Sequence, residues 1–217
     1  MAFDGDADRC FVVDEKGHPV SPSAIAALVA ERELAREPGS TVIHNLITSK
    51  AVPEIIRENG GEPVRTRVGH SFIKAKMAET NAVFGGEHSA HYYFRDFWRA
   101  DSGMLAAMHV LAALGQQDKP LSEMMAKYNR YAASGEINSR LDSAEAQADR
   151  TEAVVKAFAD RAENVDRLDG VTVELKDGNW FNVRASNTEP LLRLNVEADT
   201  QEAVDALVKE ILAIIRA

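Results

Sequence analysis

Apolar and polar stretches alternate most regularly between residues 41 and 87. An apolar run at Val42-Ile43 precedes a stretch with helical spacing at 51–57, which Gly60-Gly61 ends. A second run at 64–68 precedes a helical stretch at 72–77, and a third run follows at Ala82-Val83-Phe84. This order predicts a β-α-β-α-β unit, in which parallel strands are covered by the helices that connect them. Upstream, residues 23–36 carry apolar positions at helical spacing and stop at Pro38-Gly39. Before that helix, residues 10–13 and Val20 flank the turn-prone Asp14-Glu15-Lys16-Gly17, which predicts a hairpin.

Residues 101–114 and 121–128 predict two further helices. From 134 to 148 the pattern turns polar and irregular, which puts a domain boundary near Tyr131. Beyond it the spacing predicts a helix at 151–162 and a hairpin of Val171-Thr172-Val173 and Trp180-Phe181-Asn182-Val183 around Lys176-Asp177-Gly178-Asn179. A strand at 191–196 and a last helix follow. Asp199 is expected to cap that helix with Glu202 three residues on, and Val204, Leu207, Val208, Ile211 and Ile215 form its apolar face. The fold class is therefore an α/β parallel-sheet domain followed by a smaller α+β domain.

Composition narrows the class. The 25 Lys and Arg against 34 Asp and Glu leave a net charge of -9, which opposes non-specific attraction to nucleic acid or to anionic membranes. An anionic ligand would need local basic residues or a metal. The single cysteine, Cys10, cannot form an internal disulfide, and no N-terminal run has the order of a signal peptide, so a cytoplasmic, reduced setting is expected. The longest apolar stretch, 104–114, is shorter than the roughly 20 residues needed to cross a bilayer.

Four segments can carry chemistry. In Asp4-Gly5-Asp6-Ala7-Asp8-Arg9, carboxylates alternate with small residues, so a curved loop can bring three oxygen donors onto one hard cation such as Mg²⁺ or Ca²⁺; the alternative is a solvated acidic turn. An EF-hand is rejected, because Arg9 stands where its turn requires glycine and Phe11-Val12-Val13 favours strand. In Arg184-Ala185-Ser186-Asn187-Thr188-Glu189-Pro190, with Arg193 beyond, two guanidiniums, two hydroxyls and an amide make a donor set for phosphate, set against a plain turn between strands. Gly85-Gly86-Glu87-His88-Ser89-Ala90-His91 lies at a strand end, where open parallel sheets bind ligands, with Glu87 and Ser89 expected on one side to meet sugar hydroxyls. Arg67-Val68-Gly69-His70-Ser71 is another strand end, where His70 is either a proton donor or a helix cap. Lys50, after Thr48-Ser49, takes the corresponding place at a third strand end. His18, His44, His88, His109, Trp98 and Trp180 read as turn, core or surface residues.

Together and in this order, Asp4-Gly5-Asp6-Ala7-Asp8-Arg9, Val68-Gly69-His70, Gly86-Glu87-His88-Ser89-Ala90-His91 and Arg184-Ala185-Ser186-Asn187-Thr188-Glu189-Pro190 resemble the α-D-phosphohexomutase family along the whole chain. The resemblance implies that 1–20 is the tail of the family's second domain with its metal loop. It likewise makes 21–130 the third, sugar-binding domain and 131–217 the fourth, phosphate-binding domain. It also implies Mg²⁺ on Asp4, Asp6 and Asp8, and sugar on Glu87 and Ser89. The phosphate that is not transferred would lie on Arg184, Ser186, Asn187, Thr188 and Arg193. Arg9, Lys50, His70 and His91 match positions near the reacting end of the sugar, as ligand contacts and proton-transfer aids.

The implied reaction moves a phosphoryl group between an enzyme phosphoserine and a hexose phosphate through a hexose bisphosphate. No loop of the Thr-Ala-Ser-His-Asn type, which holds that serine in the family, occurs in the 217 residues, so this chain alone is expected to be inactive without its N-terminal domains. Ala90 stands where many relatives have glycine. The competing expectation is a non-catalytic sugar-phosphate binding module. The enzyme reading predicts exposed apolar surface near residues 1–20, and the module reading predicts that this surface is covered.

Overall fold

A computed structural model describes residues 1–186 and 189–217. They form two compact units, Met1–Arg130 and Tyr131–Ala217. The first unit opens with β1 (Ala2–Phe3) paired antiparallel to β2 (Cys10–Phe11). The hairpin that the sequence predicts follows, with Val13 bridged to Pro19. Then come α1 (Pro22–Arg36), β3 (Thr41–Asn45), α2 (Ala51–Glu58), β4 (Glu62–Thr66), α3 (His70–Thr80), β5 (Phe84–Gly86), β6 (Tyr92–Phe94), β7 (Ala100–Asp101), α4 (Gly103–Gly115) and α5 (Leu121–Met125).

The strand order is β4-β3-β5-β6-β7, and β3 runs parallel to both β4 and β5. The expected parallel rhythm is present, but the sheet is mixed, because β6 and β7 add an antiparallel edge. Only the loop 87–91 joins β5 to β6, which is too short for a crossover helix and so allows only the antiparallel return. Two neighbouring glycines locate the helices. A Cβ added at Gly85 would lie 3.0 Å from Ile73 and 3.2 Å from Met77 on α3, whereas one at Gly86 would lie 2.6 Å from Ala26 on α1. Successive strand residues face opposite ways, so α3 covers one face and α1 the other. The α1 positions Ser23, Ala24, Ile25, Ala26, Ala27, Leu28, Val29 and Ala30 are all buried, as expected for a helix that is apolar on every side.

The second unit contains β8 (Ala132–Ala133), β9 (Ile137–Arg140), α6 (Ala144–Phe158), β10 (Ala162–Asp166), β11 (Val171–Leu175), β12 (Trp180–Ala185), β13 (Leu191–Ala198) and α7 (Gln201–Ile215). Its sheet is antiparallel in the order β10-β11-β12-β13-β8, with β9 also on β13. Val173, Phe181, Val183, Leu194 and Val196 meet Val154 and Phe158 of α6 and Leu207, Ile211 and Ile215 of α7 in one core. Three local expectations need correction. The helix predicted at 151–162 begins at Ala144, where Ser143 accepts a hydrogen bond from the Ala146 N–H at 3.1 Å, because its first turns bury only Gln147 and so lack an apolar stripe. Residues 162–166 are strand β10. The last helix is capped by Thr200, whose Oγ1 accepts from the Ala203 N–H at 3.2 Å, rather than by Asp199. No helix among the described residues is long and apolar enough to cross a membrane.

On β3, His44 lies buried with Nδ1 2.9 Å from Thr48 Oγ1, and burial pushes its imidazole down to about 4. Between roughly pH 6.5 and 4 the unfolded chain takes up a proton there that the folded chain does not. Stability therefore falls as pH falls through this window, by about 3 kcal/mol from this group. Thermal unfolding of the chain and a His44→Gln variant from about pH 7 to about pH 4 should show the gap in Tm shrinking as pH drops. A constant gap would assign the acid sensitivity elsewhere.

Candidate functional site

The acidic loop between β1 and β2 is a tight turn, with the Ala7 N–H donating to the Asp4 carbonyl at 3.2 Å and Ala7 at φ 59°. The turn gathers Asp4, Asp6 and Asp8, each of which presents a carboxylate oxygen within 4.8 Å of the others. Arg9 closes the loop on itself, donating from Nε to Asp4 Oδ2 at 2.6 Å and from its backbone N–H to Oδ1 at 3.2 Å. This guanidinium holds the Asp4 carboxyl below its ordinary range, whereas burial pushes that of Asp8 up. Asp8 Oδ1 is shut off from solvent and has no hydrogen-bond partner among the described residues. Three convergent carboxylates, one with an unsatisfied oxygen, suit a hard divalent cation.

The loop is tied to the strand ends behind it. Arg9 and His91 form an antiparallel bridge, the Cys10 N–H donates to the Ala90 carbonyl at 3.4 Å, and His91 Nε2 lies 3.6 Å from Asp8 Oδ2. Glu87 and Ser89 do not share the exposed face that alternation suggests. Ser89 is exposed, with Oγ 2.8 Å from His91 Nδ1. Glu87 is 1% exposed and accepts from the Tyr93 hydroxyl at 2.8 Å, Asn45 Nδ2 at 3.1 Å and the Gly69 N–H at 3.2 Å.

His70 is the first residue of α3, and Gly69, at φ 131°, takes the N-cap position before it. Its ring meets that of His91 edge to face, with 4.3 Å between centroids. Burial and the neighbouring His70 imidazole push His91 down, toward the neutral form near pH 7. Lys50 directly precedes α2 and is half-buried. Besides Asn45 and Tyr93, two more residues in this region went unread in the sequence. Asp101, on the edge strand, contacts His70 Nδ1 and Lys74 Nζ at 3.2 Å each. Ser23 accepts from the Ser49 N–H at 3.1 Å and lies 2.9 Å from His88 Nδ1. Aspartate in a two-residue strand and serine in a helix give no local signal.

In the second unit, Arg184 on β12 and Arg193 on β13 stand directly opposite in register. Like charges at paired strand positions repel, so this pairing needs an anion between or beside them. Glu136 supplies one, with Oε2 3.4 Å from Arg193 and 4.0 Å from Arg184. Arg193 also donates to Ser186 Oγ at 3.3 Å. Both Nε atoms are buried without a hydrogen-bond partner among the described residues. Asn187 and Thr188, named with this loop from the sequence, lie outside the described residues.

Residues 21–131 match phosphoglucomutase/phosphomannomutase, alpha/beta/alpha domain III, and residues 136–214 match the C-terminal domain of the same family. The chain belongs to the phosphoglucomutase/phosphomannomutase family. Phosphomannomutases from Salmonella montevideo and Methanocaldococcus jannaschii are 42% and 40% identical to it, each over 99% of this chain and over 47% and 46% of their own length. A family protein from Burkholderia thailandensis superposes with a TM-score of 0.83 at 32% identity, over 99% of this chain and 46% of that one. The N-acetylphosphoglucosamine mutase of Aspergillus fumigatus, solved with GlcNAc-6P and magnesium, shares the fold with a TM-score of 0.68 at 15% identity, over 99% of this chain and 48% of that one. This chain therefore spans about half the length of the curated relatives it matches, and the half it matches holds the third and C-terminal domains of the family.

Two substitutions test the geometry. Gly103 at the start of α4 donates from its N–H to the Ala7 carbonyl, and an added Cβ would lie 2.5 Å from the Arg9 carbonyl oxygen. Gly103→Ala should push the acidic loop outward and weaken Mg²⁺ binding by roughly tenfold or more in calorimetric titration, as small misplacements of ligand groups do. Unchanged affinity would mean that the loop sets its shape independently of α4. Glu136→Gln removes the carboxylate that the paired arginines share, so inorganic phosphate should bind severalfold tighter. Weaker binding would make Glu136 a support of the site rather than a competitor for it.

Proposed function

We propose that this chain supplies the metal-binding, sugar-binding and phosphate-binding groups of a phosphohexomutase that interconverts hexose phosphates through a hexose bisphosphate. The observation that carries the reading is the acidic loop, whose buried Asp8 Oδ1 accepts no hydrogen bond among the described residues, bridged through Arg9 to the segment that bears Ser89 and His91. Asp4, Asp6 and Asp8 would hold Mg²⁺, which when bound neutralises charge on a transferring phosphoryl group. Arg9 orients Asp4 and keeps the loop closed. His91, neutral near pH 7, takes the proton of the attacking sugar hydroxyl and returns it to the leaving oxygen, while His70 and Lys50 contact the same end of the ligand.

Ser89 contacts the sugar, and Glu87 acts beneath it by fixing the Gly69 N–H, Asn45 and Tyr93. In the second unit Arg184 and Arg193, with Ser186, Asn187 and Thr188, take the phosphate that is not transferred, with the planar guanidiniums matching its oxygens. The phosphoserine that accepts and donates the phosphoryl group lies in none of these 217 residues, so their part is binding, charge neutralisation and proton transfer.

A binding module without catalysis predicts a covered surface at residues 1–20. Instead Met1, Phe3, Phe11 and Val13 are 40–49% exposed, which favours the enzyme reading, in which further family domains pack there.

Calorimetric titration with glucose 1,6-bisphosphate, beside an Arg184→Ala variant, tests the assignment. Binding by the chain that weakens at least about tenfold in the variant supports it, since a buried charge-assisted contact is worth roughly 1.5–3 kcal/mol. Binding that the variant keeps in full would remove the second unit's arginines from the site.

A further inference from the structure

The first unit holds a second convergent donor set beside the acidic loop. His70 at the start of α3, His91 after β5 and Asp101 in β7 each present one ligand atom, and all three atoms lie within 4.8 Å of one another. The set differs in chemistry from Asp4, Asp6 and Asp8. Two imidazole nitrogens and one carboxylate suit a borderline cation such as Zn²⁺, Co²⁺ or Ni²⁺, whereas the all-oxygen loop suits Mg²⁺.

The distances fit as well. Ligands about 2.0–2.1 Å from a tetrahedral zinc stand about 3.3 Å apart. His70 Nδ1 and Asp101 Oδ2 are already 3.2 Å apart. The rings of His70 and His91, crossing edge to face at 4.3 Å between centroids, need only modest rotation to bring a nitrogen of each onto the same point.

The ligands are also oriented from outside. Lys74 Nζ holds the other Asp101 oxygen, Oδ1, at 3.2 Å, and the Asp101 side chain is only 10% exposed. Ser89 Oγ, 2.8 Å from Nδ1, fixes the His91 ring. Such outer contacts align ligands and raise affinity. His70 is 47% exposed, so the set opens on one side to solvent, as a three-ligand site with a free fourth position does.

We propose that His70, His91 and Asp101 bind one transition-metal cation of the Zn²⁺ class, at a site adjoining the acidic loop, since His91 Nε2 lies 3.6 Å from Asp8 Oδ2, but built from its own three ligands, with its fourth position open to water or to a ligand oxygen. If the preceding reading of the imidazoles holds, an occupied site and proton transfer by His91 exclude one another.

The test is Co²⁺ titration of the untagged chain with Mg²⁺ in large excess to fill the acidic loop, followed by visible absorption. Nitrogen-rich tetrahedral Co²⁺ absorbs far more strongly than octahedral, all-oxygen Co²⁺. One equivalent of strongly absorbing Co²⁺, displaced by Zn²⁺, is expected. His70→Ala and Asp101→Asn should each weaken it at least about tenfold, whereas Asp6→Asn should weaken Mg²⁺ binding and leave the Co²⁺ band intact. Circular dichroism confirms that the variants fold, and the exposure of His70 makes its replacement benign. Absence of the band, its persistence in His70→Ala, or its loss in Asp6→Asn would each overturn the proposal. No sugar phosphate takes part, so failure here leaves the hexose-phosphate assignment standing, and failure of the bisphosphate titration leaves this one standing.

Discussion

The buried carboxylate of Glu87 is the contact on which the first unit's site depends. A carboxylate almost out of reach of water is costly unless donors surround it, and three do, each from a different part of the chain. Asn45 ends β3, Gly69 opens α3, and Tyr93 lies on the antiparallel β6. One charged group thus sets the spacing of two parallel strand ends and the return strand. Tyr93 answers in kind, since burial and the Glu87 charge push its hydroxyl well above the ordinary range and keep it a donor. With these ends fixed, the residues just beyond them, Ser89, His91 and His70, have little freedom in where they stand.

The sequence made the centre of this arrangement legible and left its edges obscure. Short apolar runs between helical stretches revealed β3 and the covering α2 and α3, and found β4 and β5 with each displaced by two residues, because a buried parallel strand and an amphipathic helix leave different periods. The chemistry-bearing loops were legible because acidic and basic groups at close spacing are rarely placed for packing. Tyr92-Tyr93-Phe94 had the composition of a strand, yet the run is three residues long and follows the turn 87–91 directly, so periodicity had nothing to act on. The first turns of α6 were missed for the opposite reason, since a helix that shows most of its surface to water carries no apolar stripe. Asp101 and Glu136 are ordinary acids in sequence and gain their meaning only from the bases folded against them.

Within the second unit, the side-by-side arginines are a similar case of electrostatics overriding local preference. A sheet built for stability alone would place opposite charges, or apolar groups, at directly paired positions. Arg184 is nonetheless 8% exposed and stands against Arg193, with Glu136 shared between them and Glu189 3.8 Å from Arg193. These carboxylates do not saturate the two guanidiniums, since both Nε atoms lack a hydrogen-bond partner among the described residues. The strands can carry this pairing because Val183, Leu192 and Leu194 beside the arginines are buried in the apolar core.

The acidic loop meets the same kind of constraint through its backbone. Ala7 and Ala90 both adopt left-handed conformations, at φ 59° and 69°, which cost an alanine roughly 1–2 kcal/mol each. Neither is isolated. The Ala7 carbonyl accepts from Gly103, and the Ala90 carbonyl accepts from Cys10, so each turn is held by a segment distant in sequence. The close approach of Gly103 to the Arg9 carbonyl excludes any side chain there. The two strained turns are therefore locked against one another across the Arg9–His91 bridge. Relaxing either would move Asp8 relative to His91, and this coupling gives the acidic loop a defined position beside the imidazoles, although its own two strands are only two residues long.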